Sequence, residues 1–90
     1  MTYYATGRVV YSTANNKNTA MTNMQNVLNS FPNVIGYTSA YPAGLNSEST
    51  TVVTFSLEVP DADVNTFRSQ FATAWGSAAK TSGQTGVSKH

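Results

Sequence analysis

The chain has 90 residues with five basic and four acidic side chains, a net charge of +1 and no cysteine. Its charged fraction of 10% is far below the roughly 25% usual in globular domains. This length predicts one domain over residues 1–90, and the lack of cysteine excludes disulfides and thiolate metal sites. So little charge disfavours nonspecific nucleic-acid binding and electrostatic attachment to membranes.

Neutral hydrogen-bonding residues replace the missing charges: thirteen Thr, ten Ser and nine Asn. No run of apolar residues is long enough for a membrane span, and no signal peptide is evident. We therefore expect a soluble cytoplasmic protein. The composition also prompts the hypothesis of a phage or viral accessory protein, which would place it in the host cytoplasm or the virion.

The first half of the chain predicts a strand, a helix and a second strand. Residues 2–12 alternate in polarity and are rich in β-branched and aromatic residues, which indicates a strand. Residues 16–30 carry apolar side chains at spacings of three and four, which indicates a helix that ends before Pro32. The pattern predicts a second strand over residues 34–41, followed by a hairpin loop over residues 42–49.

The second half of the chain predicts a strand and a helix, followed by a tail with two possible interpretations. Residues 49–59 indicate a third strand, one side of which is nearly all apolar, and the period changes at Pro60. Asp61 is the predicted N-cap of a second helix, which we expect to end near Lys80 with Gly83 following it. Residues 82–90 form either a short edge strand containing Val87, which we favour, or a flexible tail.

The element order β-α-β-β-α(-β) predicts an α+β fold, the ferredoxin-like two-layer sandwich. Two helices would cover one face of an antiparallel sheet whose first and third predicted strands lie side by side in the middle. The side chains expected beneath the helices are Tyr3, Ala5, Val9, Tyr11, Val53, Phe55, Leu57 and Val59.

The opposite face of the sheet is the candidate functional surface. From the second strand it would gain either Ile35, Tyr37 and Tyr41 or the alternate set beginning with Val34, because a slip of one residue exchanges the two. The candidate interface or ligand residues are Tyr4, Arg8, Val10, Tyr37, Tyr41, Val52, Thr54 and Glu58.

The chain shows no arrangement typical of catalysis, of a cofactor or of a metal site. Its one histidine is residue 90, and its four carboxylates are scattered along the sequence. Arg8 and Glu58 are the one suggestive pair, interpreted either as an exposed cross-strand ion pair or as a polar contact inside an interface or cavity. The third predicted strand has no basic residue, which argues against the RNA-binding version of this fold.

Three functions remain open, and two of them are favoured over the third, a module that binds nucleic acid or another partner. The first is a non-catalytic interaction domain that forms a homo-oligomer, such as a dimer, through the free face of the sheet. The second is a protein or enzyme of the dimeric α/β-barrel type, which binds a small apolar ligand between two sheets. We expect no nucleic-acid partner and no membrane partner, and we favour a protein that is not an enzyme.

Overall fold

A computed structural model describes residues 2–37 and 44–89 of the chain, with the backbone alone from residue 82 onward. Two helices and five strands make up these residues, together with a 3-10 turn at Asp61–Asp63. In chain order the elements are β1 (Thr2–Tyr11), α1 (Ala14–Asn29), β2 (Ile35–Gly36), β3 (Leu45–Ser47), β4 (Val52–Pro60), α2 (Val64–Trp75) and β5 (Lys80–Lys89).

The sheet is antiparallel, with β1 and β4 at its centre. Its order is β2-β4-β1-β5, and β3 also pairs with β4. β1 and β4 pair over nine positions, from Thr2 opposite Pro60 to Val10 opposite Val52. Helix α1 contacts both central strands and α2 contacts β4. This arrangement confirms the predicted α+β, ferredoxin-like two-layer sandwich.

The core lies between the helices and one face of the sheet, on the side that the alternation predicts. Every predicted side chain of that face is buried except Tyr3, which packs against the core partly exposed. Four phenylalanines join the layers: the rings of Phe31 and Phe67 meet at 5.4 Å, those of Phe67 and Phe71 at 4.9 Å, and those of Phe71 and Phe55 at 5.0 Å. Such aromatic pairs add about 0.5–1.5 kcal/mol each beyond the area they bury.

The edge beside β4 differs from the predicted hairpin. Instead of a loop over residues 42–49, β3 pairs with β4 at Leu45–Ser47, running in the same direction as β2. The turn into β4 follows β3, where the amides of Glu48 and Ser49 donate to the carbonyl of Val52. The prediction was wrong because Gly44, Asn46 and Ser47 are typical turn residues, whereas buried Leu45 supplies the apolar contact that holds this segment on the sheet.

The ends of the helices also differ from the prediction. Helix α1 is capped by Thr13, whose hydroxyl accepts from the amide of Asn16 at 3.1 Å. The 3-10 turn separates Asp61 from α2, so Asp61 does not cap the helix. Helix α2 ends at Trp75, because Gly76 follows and the Ser77 hydroxyl donates to the carbonyl of Ala74 at 2.6 Å.

The tail is a strand, as favoured, but it begins earlier than expected. β5 starts at Lys80 and pairs with β1 almost to the end of the chain, with Gly83 opposite Val9 and Val87 opposite Ala5. Gly83 therefore lies inside a strand and does not follow a helix. The chain between Trp75 and Lys80 is just long enough to turn back onto β1.

Lys17 is a buried charged residue that the sequence interpretation did not single out. It lies on the core side of α1, one turn before Ala20, with only 8% of its surface exposed. Its Nζ donates to Oγ of Ser47 at 2.9 Å. Because burying an ammonium group without a partner is costly, this contact fixes the start of α1 against the end of β3.

Replacing Gly44 with alanine should destabilise the fold. Gly44 has a φ of +86°, and a Cβ built there would lie 2.2 Å from Cδ2 of Leu57. The positive φ and this close approach together should lower the free energy of unfolding by about 1–3 kcal/mol, measured by urea denaturation. Gly76→Ala is the matched control, because φ there is −89°, and it should cost less than about 1 kcal/mol. Equal losses for both variants would contradict the interpretation.

Tyr11→Phe should both weaken the fold and change its response to alkali. The Tyr11 hydroxyl donates to the carbonyl of Trp75 at 2.6 Å, so its loss should cost about 1–2 kcal/mol. Burial raises the pKa of Tyr11 to about 12, above the ordinary value near 10. The folded state thus holds its proton more tightly, and stability falls as the pH rises from about 10 to 12. Denaturation across this range should show a shallower decline for Tyr11→Phe than for the parent.

Candidate functional site

The face of the sheet opposite the helices, here called the open face, is the candidate site. Its membership follows from strand alternation and from the register of β1 on β4, which sets Tyr4 opposite Glu58, Thr6 opposite Ser56 and Arg8 opposite Thr54. The edge contributes Ile35, paired with Glu58, and Asn46, paired with Thr54. The described side chains of the open face include Tyr4, Thr6, Arg8, Val10, Ile35, Tyr37, Asn46, Val52, Thr54, Ser56 and Glu58, together with Glu48, which contacts Arg8.

Of the two sets of side chains that the second predicted strand could place on the open face, the structure shows the set with Ile35 and Tyr37. Val34 is buried in the core, whereas 52% of Ile35 and 47% of Tyr37 are exposed. The Tyr37 ring meets the Tyr4 ring at 4.9 Å, edge to face. This contact places Tyr37 on the same side of the sheet as Tyr4. Tyr41, the third member of the predicted set, lies outside the described residues.

Tyr4, Tyr37 and Glu58 form what we call the aromatic-acidic cluster. The Tyr4 hydroxyl donates to Oε1 of Glu58 at 3.4 Å, and this contact is partly buried. The pKa of Tyr4 is raised, first by desolvation and then by the negative charge and hydrogen bond of Glu58. The cluster thus combines two aromatic rings with a carboxylate, the groups that bind organic cations in proteins.

Arg8 lies at the other end of the open face and does not pair with Glu58. Its Nε donates to Oε2 of Glu48 at 3.1 Å, and both side chains are exposed. The cross-strand Arg8–Glu58 ion pair within one chain, the first of the two predicted interpretations, is wrong because Arg8 is opposite Thr54, four positions along β4 from Glu58. Glu48, which the sequence suggested only as a loop residue, is brought to Arg8 by the turn between β3 and β4.

Small hydroxyl side chains occupy the centre of the open face. Ser56 is only 7% exposed, and the hydroxyl of Thr54 accepts from the side-chain Nδ2 of Asn46 at 3.3 Å. Val52 is also only 7% exposed, although its position is on this face. Ser56 and Val52 therefore have little exposed surface, although they lie on the open face. The accessible apolar groups are concentrated at the end that holds Ile35 and Tyr37.

The described residues offer no obvious catalytic or metal-binding arrangement. Within residues 2–37 and 44–89, no group of three or more His, Cys, Asp or Glu residues could hold a metal ion. No helix in this part of the chain is long and apolar enough to cross a membrane. The contacts present on the open face are hydrogen bonds, an aromatic pair and an ion pair.

A second concave surface lies on the opposite side of the molecule, between the two helices. This groove has a volume of about 360 Å³. At one wall, the side-chain Nδ2 of Asn23 donates to the Ser77 hydroxyl at 2.9 Å. Its lining is Asn23, Val27, Ser69, Gln70, Thr73, Ala74 and Ser77. The groove is open and uncharged, and it holds none of the site residues predicted from the sequence.

Glu58→Gln should lower the pKa of Tyr4 towards that of an ordinary tyrosine. The substitution removes the negative charge that opposes ionisation of Tyr4, while desolvation of Tyr4 remains. The pKa should be followed by NMR of tyrosine labelled with ¹³C at Cζ. Glu48→Gln, at the other end of the open face, is the control and should leave Tyr4 unchanged. An unchanged pKa in Glu58→Gln would show that Tyr4 and Glu58 do not interact in solution.

Comparison with known proteins assigns no family to this chain. No protein-family model, no curated protein and no solved structure matches it. What the protein does must therefore be inferred from its own residues and their arrangement.

Proposed function

We propose that the protein is a small, non-catalytic interaction domain that associates with a second copy of itself through the open face. The observation that carries this proposal is the exposure of Ile35 and Tyr37. Among the described residues, these are the two large hydrophobic side chains that are exposed. Both lie on the open face, and Tyr37 contacts Tyr4 there.

The distribution of exposed residues favours an interface over a surface that faces water. The outer positions of the helices carry small or polar residues, such as Asn18, Thr22 and Asn26 on α1 and Thr66 and Ser69 on α2. Exposed aromatic and branched side chains that cluster on one face are typical of protein contact surfaces. A chain this short also buries only about 60–65% of its unfolded surface, so covering this face would add to its stability.

A second copy is the partner that the charges of the open face suit best. At one end of the open face Arg8 and Glu48 form an ion pair. At the other end Glu58 accepts a hydrogen bond from Tyr4. A two-fold dimer brings the same patch of each copy together. Two such faces can therefore meet without a large repulsion of like charges, whereas a strongly charged partner finds no matching surface.

A ligand held between two such sheets is the second candidate function. The short side chains at the centre of the open face favour it, because Thr6, Thr54 and Ser56 would leave space between two sheets that touch at their bulkier ends. Sheets in contact lie about 10 Å apart. A small apolar ligand could occupy this space, as in the dimeric α/β-barrel type. Native mass spectrometry of the purified dimer should then show a mass above that of two chains.

Ile35→Asp and Tyr37→Asp should each abolish or strongly weaken self-association. Each substitution sets a carboxylate on an exposed position of the open face, where it would have to lose its water in a dimer. Sedimentation equilibrium should give a dimer for the parent chain at micromolar concentration and a monomer for both variants. Far-UV circular dichroism should be unchanged, because both side chains are exposed in the single chain.

Ala72→Asp is the matched control for these two variants. Ala72 is an exposed apolar residue on α2, so the same kind of change is made on the opposite side of the molecule. This variant should dimerise as the parent does. A parent chain that stays monomeric at high micromolar concentration, or a dimer that only Ala72→Asp disrupts, would overturn the proposal.

A further inference from the structure

We infer that the aromatic-acidic cluster of Tyr4, Tyr37 and Glu58 is a binding site for a cationic side chain, and that its occupant is the guanidinium group of Arg8 from a second copy. This inference rests on the proposed self-association through the open face. It adds the residue that each copy contributes to the other and the relative direction of the two sheets.

The cluster has the chemistry that a guanidinium group requires. A carboxylate offers about four acceptor positions, and the long 3.4 Å bond from Tyr4 uses one of those of Glu58. The edge-to-face contact of Tyr4 and Tyr37 orients their rings differently, so a planar cation can stack on one ring while it donates to the carboxylate. Arginine suits such a site better than lysine, because its guanidinium is planar and both stacks and donates in a fixed geometry.

Arg8 does not pair with Glu58 within its own chain, where its Nε contacts Glu48. Arg8 is opposite Thr54 and Glu58 is opposite Tyr4, a separation of four residues along the strands. At about 3.3 Å per residue, the backbone positions of Arg8 and Glu58 are roughly 13 Å apart along the strands. The open face thus carries its cation at one end and its aromatic-acidic cluster at the other.

A two-fold axis brings these two ends together. The axis lies between two facing sheets, runs perpendicular to the strands and passes at the level of Thr6 and Ser56, midway between the two ends. It places Arg8 of each copy at the level of Tyr4 and Glu58 of the other. Packed sheets are about 10 Å apart, a gap that an extended arginine side chain largely spans. The small residues at the axis allow this approach.

Arg8 keeps the capacity to bind a second carboxylate. Its contact with Glu48 is made through Nε, one of the five N–H donors of a guanidinium group. The other donors lie at the outer end of the side chain, which is exposed. Arg8 can therefore bridge Glu48 of its own chain and Glu58 of a second copy.

The test is a charge exchange between two variants, Arg8→Glu and Glu58→Arg. Both are made with Glu48→Gln, so that a new Glu at position 8 does not meet Glu48. In a dimer of either variant alone, residue 8 of each copy meets residue 58 of the other with the same sign of charge. This repulsion at two contacts should raise the dimer dissociation constant by about tenfold or more. An equal mixture restores two opposite-charge contacts and should form heterodimers, measured by native mass spectrometry. Circular dichroism confirms that each variant is folded, and Arg8→Gln replaces any variant that is not.

The possible outcomes separate this inference from the proposed function. Weakened single variants whose mixture forms heterodimers support the inference. Variants that dimerise as the parent does, or that stay monomeric when mixed, overturn it and leave the proposed dimer intact. Loss of the dimer in Glu48→Gln alone would show that Arg8 acts only through its contact with Glu48 in the same chain. That result would also overturn the inference. A monomeric parent chain would overturn the proposed function and this inference together.

Discussion

The pairing of β1 with β4 is the constraint on which the rest of the structure depends. The two strands are some fifty residues apart in the sequence and pair over nine positions. Both are central, so each residue of one strand has its face fixed by its partner on the other. This single register sends Val9, Val53 and Leu57 into the core, where they are fully buried. It simultaneously sends Tyr4, Arg8 and Glu58 to the open face and sets the distances among them.

Much of the fold follows from the sequence because hydrophobic periodicity reports directly on burial. The alternation over β1 and β4, and the stripes of α1 and α2, each extend over many residues, so one exception does not obscure them. The edge is different. Its pieces, Ile35–Gly36 and Leu45–Ser47, are too short for a period to be recognised. In β3 the one informative apolar residue is Leu45, and the residues beside it are those that turns use.

The candidate site is less predictable than the fold, because it depends on contacts between segments whose register the sequence does not give. Alternation alone identifies Tyr4, Arg8 and Glu58 as residues of one face, but not their order along the strands. The cross-strand ion pair of Arg8 and Glu58 within one chain was wrong for that reason. The actual partner, Glu48, belongs to a turn whose position depends on where β3 ends. Tyr37 was assigned to the open face from the burial of Val34, the pairing of Ile35 with Glu58 and the contact of Tyr37 with Tyr4.

The divided edge of the sheet has a consequence for how the protein can assemble. A long, uninterrupted edge strand offers a row of backbone donors and acceptors on which further chains can be added without limit. In the residues that the structure describes, 2–37 and 44–89, that edge consists of strands of two and three residues, and Gly44 bends the backbone just before the second one. Neither piece is long enough to serve as a template for fibril-like growth. On this side of the sheet, the architecture protects a charge-poor protein against runaway aggregation by its shape and not by electrostatic repulsion.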